Sequence, residues 1–141
     1  MSEPKLFVAF KAFIERDGKI LVVRESSSYK ESSQKGKWGI PGGRLEPGER
    51  YDECLSREVM EETGLTVKFG RPFHVTEWRP TIRGEQWQVV AVFVACESGE
   101  GDVRLSPDHE AFEWIDPAAH ADYPIIETEH AAFEAYLSRK N

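Results

Sequence analysis

One short segment of this chain limits its options more than any other. Residues 51–63 read as a helix: Asp52 and Glu53 fall in a first turn, where acids complement the positive end of the helix dipole, and Gly64 stands where helices commonly end. Leu55 and Val59, one turn apart, mark the face turned to a core. Beside that face Glu58, Glu61 and Glu62 are spaced i, i+3, i+4, so all three project from one side. Like charges at that spacing repel, and the last turns of a helix disfavour acids; each effect costs a few tenths to about 1 kcal/mol. One explanation is a solvated acidic face paired with Arg57 and nearby lysines. The other is a bound cation at a cleft edge, which turns repulsion into coordination. Clustered carboxylates without thiols suit a hard ion, Mg²⁺ or Mn²⁺.

The surroundings of this helix predict a mixed architecture. Residues 5–14 read as a strand, Asp17-Gly18 as a hairpin turn and Lys19 to Arg24 as the return strand. The Ser- and Lys-rich stretch Glu25 to Lys37 reads as a loop. Trp38 to Ile40 is a short extended piece stopped by Pro41-Gly42-Gly43. Leu65 to Trp78 and Gln86 to Glu97 read as strands joined through Pro80 and Gly84, and Phe112 to Ile115 as a short strand. Pro117 starts a weak helical turn, and Glu127 to Lys140 reads as a C-terminal helix with apolar Ala131, Phe133, Ala135, Tyr136 and Leu137. This order predicts an α+β domain, a mixed sheet with helices on its faces. At 141 residues and with no repeat or linker, residues 1–141 read as a single domain.

Composition narrows the partners. No apolar run is long enough for a membrane span. The apolar stretch Leu6 to Ile14 is interrupted by Lys11 and carries no small-residue cleavage site, unlike a secretory signal. Cys54 and Cys96 fit neither a zinc pattern nor a disulfide framework, so they read as reduced thiols in a cytoplasmic protein. Lys and Arg total 18 against 25 Asp and Glu, a net charge of −7, which argues against a nucleic-acid polymer as partner. A small anionic substrate remains compatible if a divalent metal lies between it and the protein.

The upstream context decides between the two explanations of the acidic face. Gly43, Glu49, Arg57, Glu58, Val59, Glu61, Glu62, Gly64 and Leu65 match, position for position, the pattern Gly, five residues, Glu, seven residues, Arg-Glu-apolar-any-Glu-Glu-any-Gly-apolar. On these residues, 43–65, the chain resembles the Nudix hydrolase superfamily. Nine fixed positions at fixed spacing carry far more information than a short motif. The order of strands and helices around them is similar to that fold too, a mixed sheet sandwiched between helices.

The resemblance implies a hydrolase of nucleoside diphosphates linked to a further group, acting through Mg²⁺ or Mn²⁺ on a pyrophosphate. It implies Glu58, Glu61 and Glu62 as metal carboxylates, the Gly43 carbonyl as a further ligand, and an Arg57–Glu49 ion pair that orients them. Metal neutralises phosphate oxygens and lowers the pKa of bound water, and a carboxylate takes the proton. Glu58 or Glu61 is the first choice of base. Asp108 of Asp108-His109-Glu110 resembles the distal-loop acid that other members use, with His109 and Glu110 as neighbouring candidates. Arg44 and Arg24 are candidate substrate cations, and Trp38, Trp78, Trp87 and Trp114 are candidates for stacking on a base, although strand aromatics are more often core.

The box does not name the substrate. A chain of this length is similar to the MutT type, which cleaves nucleoside triphosphates to the monophosphate and pyrophosphate. ADP-ribose or a nucleotide-sugar is the second expectation; Pro80 lies near where ADP-ribose hydrolases often carry a proline, although it also suits a hairpin loop. The third is a nucleotide sensor without turnover, which has no need of all three acids. A homodimer is compatible with the family.

Overall fold

The computed structural model describes residues 3–26 and 36–139. In chain order the elements are β1 (Lys5–Arg16), β2 (Lys19–Glu25), β3 (Trp38–Gly39), β4 (Gly42–Arg44), α1 (Tyr51–Thr63), β5 (Val67–Trp78), β6 (Thr81–Ile82), β7 (Glu85–Ser98), β8 (His109–Ile115), a 3-10 helix (Pro117–Asp122) and α2 (Glu127–Arg139).

The β1–β2 hairpin turns on Asp17 and Gly18, with φ of 53° and 79°. Two successive left-handed residues are what a tight hairpin of the right twist requires, and Asp-Gly supplies them at little cost. The two strands pair only at the root, Glu15↔Ile20 and Arg16↔Lys19. Beyond it they diverge. β1 takes β7 as a parallel partner from Lys5↔Trp87 to Glu15↔Glu97, and β4 as an antiparallel one, Ala9↔Arg44 to Lys11↔Gly42. β2 instead pairs with β3 and with β8. The chain from Gly39 to Gly42 crosses the gap, tied by the Ala12 N–H donating to the Pro41 carbonyl at 2.8 Å. The sheet therefore opens into a wedge between β1 and β2. At the far side β5 flanks β7, and its register shifts on both sides of Pro72, which has no N–H to give the ladder.

Alternate residues of the central strands face two helical layers, as a period of two demands. Ala12, Ile14, Leu21, Val94 and Cys96 pack with Leu55 and Val59 of α1. Phe13, Ile20, Val22, Ala91 and Phe93 pack with Ala132, Phe133 and Tyr136 of α2. Phe13 meets the Phe133 and Tyr136 rings, each at 4.7 Å between centroids. Each fully buried large side chain contributes about 1.5–3 kcal/mol, so this layer-on-layer burial is the main support of the fold. The architecture is the α+β sandwich expected from the order of elements.

Local readings differ from the structure in four places. Gly42–Arg44 forms strand β4, where Pro41-Gly42-Gly43 reads as a stop. The last strand begins at His109 rather than Phe112, and the turn at Pro117 is a six-residue 3-10 helix capped by the Asp116 side chain, which accepts the Ala118 N–H at 2.9 Å. The expected loop Glu25 to Lys37 begins inside β2, and its residues 27–35 lie outside the described residues, as do residues 1, 2, 140 and 141.

Candidate active site

The site grows out of α1. The helix starts at a capping box in which Glu53 Oε1 accepts the Arg50 N–H at 2.8 Å. It ends at Gly64, φ 73°, whose N–H donates to the Met60 carbonyl at 3.0 Å. Between these ends, Leu55 and Val59 are fully buried and fix the rotation of the helix. Arg57 and the acids consequently lie along its edge against β4.

Arg57 grips Glu49 with a two-pronged fork, Nε to Oε2 at 2.8 Å and one terminal nitrogen to Oε1 at 3.0 Å. The same nitrogen donates to the Arg44 carbonyl at 3.2 Å. The other terminal nitrogen donates to Glu58 at 2.7 Å and lies 3.6 Å from Glu61. The guanidinium hydrogen bonds hold Glu49 down to about 2 and, with the carboxylates around it, push Arg57 itself up. The expected Arg57–Glu49 pair is thus present, and it reaches Glu58 as well.

Glu58 and Glu62 face each other under β4. A side chain at position 43 would place its Cβ 2.3 Å from the Glu58 carboxyl carbon, so glycine there leaves the carboxyl room to lie against β4. The Gly43 carbonyl points toward α1 and lies 3.6 Å from Cys54 Sγ. Burial foremost, and contact with the Glu58 carboxyl, push Glu62 well above the usual carboxylate range, against the pull of the Lys11 ammonium and of the Gly42 N–H. A buried carboxyl facing a second one fits a divalent cation, which would take an oxygen from each. Glu61 stands apart. Its side chain is 57% exposed and turned to Arg57. Among the described residues no three acids, histidines or cysteines converge as a finished metal cage. Glu58 and Glu62 offer the oxygen donors a hard divalent ion takes, and Glu61 lies on the exposed side of Arg57.

Asp108 and His109 reach the same place from the other end of the sheet. The Ser26 N–H donates to the Asp108 carbonyl at 2.9 Å, and Glu25↔His109 is the last rung of β2–β8. Together with Glu62 they line a cavity of about 170 Å³ in the wedge between β1 and β2. His109 Nε2 lies 3.7 Å from Glu62 Oε1. Burial depresses the His109 pKa, with Glu25 and Asp108 pulling the other way and Lys11 reinforcing the fall. Glu110 points elsewhere, onto Arg24 at 2.5 Å.

The candidate substrate cations are not brought together. Arg24 is held by Glu110 and lies over the Trp38 ring at 5.6 Å. Arg44 lies 4.6 Å over Phe7, on a shelf with Trp87 and Lys5 that borders a groove of about 640 Å³ beside the box. Trp38 and Trp78 pack against the α2-side core and Trp114 against the α1-side core. Trp87 sets its ring edge-on to Phe7 at 5.2 Å. Pro80 sits in the β5–β7 connection, where its carbonyl accepts the Trp87 N–H at 2.9 Å, a hairpin role.

Three residues in or behind the cavity escape sequence reasoning: Lys11, Glu25 and Glu129. Lys11 and Glu25 line the cavity. Glu129 is buried on α2 and accepts the Ile40 N–H at 2.8 Å, bracing the crossing segment from the far side. Burial raises its pKa. The available signals were a lysine inside an otherwise apolar strand and an acid on the inner face of α2.

Comparison with known proteins agrees with this geometry. The profile described as NUDIX domain matches residues 5–137. The CTP pyrophosphohydrolase of Escherichia coli (strain K12) is 29% identical over 134 residues, covering 95% of this chain and 93% of that protein. The protein named Nucleoside triphosphatase NudI from Salmonella schwarzengrund is 31% identical, covering 67% of this chain and 73% of that one. Among solved structures, the MutT protein from Methanosarcina mazei Go1 superposes with a TM-score of 0.85 at 26% identity, over 100% of this chain and 99% of that one.

Proposed function

The chain belongs to the NUDIX domain family, and from that premise we propose that it is a nucleoside triphosphate pyrophosphohydrolase working with a divalent metal, Mg²⁺ or Mn²⁺. The observation that carries the reading is the pair of facing carboxyls, Glu58 set against Gly43 and held by Arg57, and Glu62 beside it at the Gly42 N–H. Two named relatives, a CTP pyrophosphohydrolase and a nucleoside triphosphatase, support the substrate class.

The reaction takes a nucleoside triphosphate and water to the monophosphate and pyrophosphate. A P–O bond forms to the water oxygen, the bridging P–O bond breaks with its electrons going to the departing phosphate, and the water proton passes to a carboxylate. A divalent ion, when bound, neutralises phosphate oxygens and makes its water more acidic. In this reading Glu58, Glu61 and Glu62 with the Gly43 carbonyl hold that ion. Arg57 fixes the first of these and, through Glu49 and the Arg44 carbonyl, the loop that carries Gly43. Glu58 and Glu61 are the proton acceptors assigned first, with Asp108 the acid across the cavity. Arg44 and Arg24, at opposite rims, contact outlying parts of the substrate.

The test is a panel of nucleoside triphosphates, ADP-ribose and nucleotide-sugars with Mg²⁺, run on the wild type and on Glu62→Gln. The expected result is release of pyrophosphate from triphosphates, reduced at least about 100-fold by the substitution with the circular dichroism spectrum unchanged. Preferred cleavage of ADP-ribose or a nucleotide-sugar would move the assignment to those substrates. Metal-dependent binding of a nucleotide without turnover would replace the hydrolase by a sensor.

A further inference from the structure

Lys11 is the residue of the cavity that the reading above leaves without a task. It interrupts the apolar run of β1, between Ala9 and the fully buried Ala12 and Phe13. A lysine in such a position is unfavourable unless its ammonium reaches polar partners. Its route out is built into the backbone. Lys11 stands opposite Gly42 in the β1–β4 ladder, and a Cβ on Gly42 would lie 2.7 Å from Lys11 Cα and 3.0 Å from its Cδ. Glycine at 42, φ 153°, therefore clears the path along which the lysine stem enters the wedge.

Inside the wedge the ammonium meets acids from every wall. The cavity is lined by Glu25 of β2, Glu62 of α1, and Asp108 and His109 at the start of β8. The charge of Lys11 is felt by Glu62 on the α1 side, by Glu129 on the α2 side and by His109 between them. Among the described residues none of these carboxylates closes on it as a salt bridge. It acts on Glu62, Glu129 and His109 through charge alone, and an ammonium carries three donors for a further partner. The cavity, about 170 Å³, is well below the roughly 300–1,000 Å³ that whole drug-sized ligands occupy, so it suits a phosphate rather than a nucleobase. Arg24 and Arg44, meanwhile, are engaged at the rims by Glu110, Trp38 and Phe7.

We propose that Lys11 is the protein's own phosphate-binding cation in this cavity, donating to non-bridging oxygens of the substrate's phosphate chain beside the metal carboxylates. The proposal rests on the pyrophosphohydrolase reading for its substrate but not for its test. A lysine point charge serves a tetrahedral phosphate from any approach, whereas a merely neutralising lysine would act only on its neighbouring acids. These two roles predict opposite readouts.

The experiment is calorimetric titration of inorganic pyrophosphate, in EDTA, into the wild type, Lys11→Met and Lys11→Arg, followed by Mg²⁺ titration and steady-state kinetics on the same three proteins. The expected result is binding weakened at least about tenfold in Lys11→Met and largely restored in Lys11→Arg. KM should rise about tenfold or more in Lys11→Met, with Mg²⁺ affinity equal to or tighter than the wild type's. Should Lys11→Met fail to fold, Lys11→Gln repeats the test with a polar stem of shorter reach. Pyrophosphate binding equal in all variants, or absent from the wild type, would overturn the proposal. So would a substitution that weakens Mg²⁺ binding alone. If the wild type binds metal-free pyrophosphate through Lys11 yet turns over no substrate, the hydrolase reading fails and the phosphate site stands.

Discussion

Arg57 donates to four oxygens, two on Glu49, one on Glu58 and one on the Arg44 backbone. No lysine can do this, because the geometry needs a planar fork. The consequence for stability is a matter of sign. Glu49 is held down from the ordinary 4.5 to about 2, so its pairing stabilises the fold fully above the ordinary value. That contribution is lost as pH falls from about 4.5 toward about 2. Replacing Arg57 with Ala should raise the pH midpoint of acid unfolding, followed by circular dichroism. It should also lower kcat about 10–100-fold at neutral pH, the usual effect of removing a residue that orients metal ligands. An unchanged acid midpoint would show that the fork contributes nothing to folding.

At the scale of elements, α1 depends on its end. Gly64 at φ 73° adopts the left-handed conformation that closes the helix, and a Cβ there would lie 3.1 Å from Arg104 Cβ. Gly64→Ala is therefore expected to cost about 1–3 kcal/mol, measured as a lower urea midpoint at unchanged slope. This helix, its glycine end and the Asp17-Gly18 hairpin were legible because their signals are local: capping, dipole and turn residues within a few positions. Strand β4 was not, since three residues rich in glycine carry a turn signature and become a strand only because β1 offers an edge. Lys11, Glu25 and Glu129 were hidden for a related reason. Their meeting depends on the parting of β1 from β2, which no spacing in the chain encodes, and on the inward face of α2, which Glu129 shares with Ala132, Phe133 and Tyr136. Asp108, singled out by resemblance, lies on the cavity that Glu62 also lines, whereas Arg24 and Arg44, expected near the box and the cleft, are engaged by Glu110 and over Phe7.

The whole molecule carries a net charge of −7, and the cavity proposed to take phosphate is itself lined by Glu25, Glu62 and Asp108. Electrostatics alone would repel a triphosphate, so binding should depend on the divalent ion and on the Lys11 ammonium together. The sheet makes this affordable in structure: two hydrophobic layers hold it, and its one open wedge receives acids from α1, β2 and the start of β8. A larger cavity of about 590 Å³ lies away from this wedge, between the irregular middle of β5 and the end of α2, and shares no residue with it. The account thus locates the chemistry at the small polar cavity rather than the large one. The most direct test of the pyrophosphohydrolase reading itself is to follow single-substrate turnover of a nucleoside triphosphate in ¹⁸O-water with Mg²⁺ and identify the products by mass. The account predicts monophosphate and pyrophosphate in equal amounts, with one ¹⁸O per turnover in one of the two products. Release of orthophosphate and nucleoside diphosphate, or no turnover of any triphosphate, would contradict it.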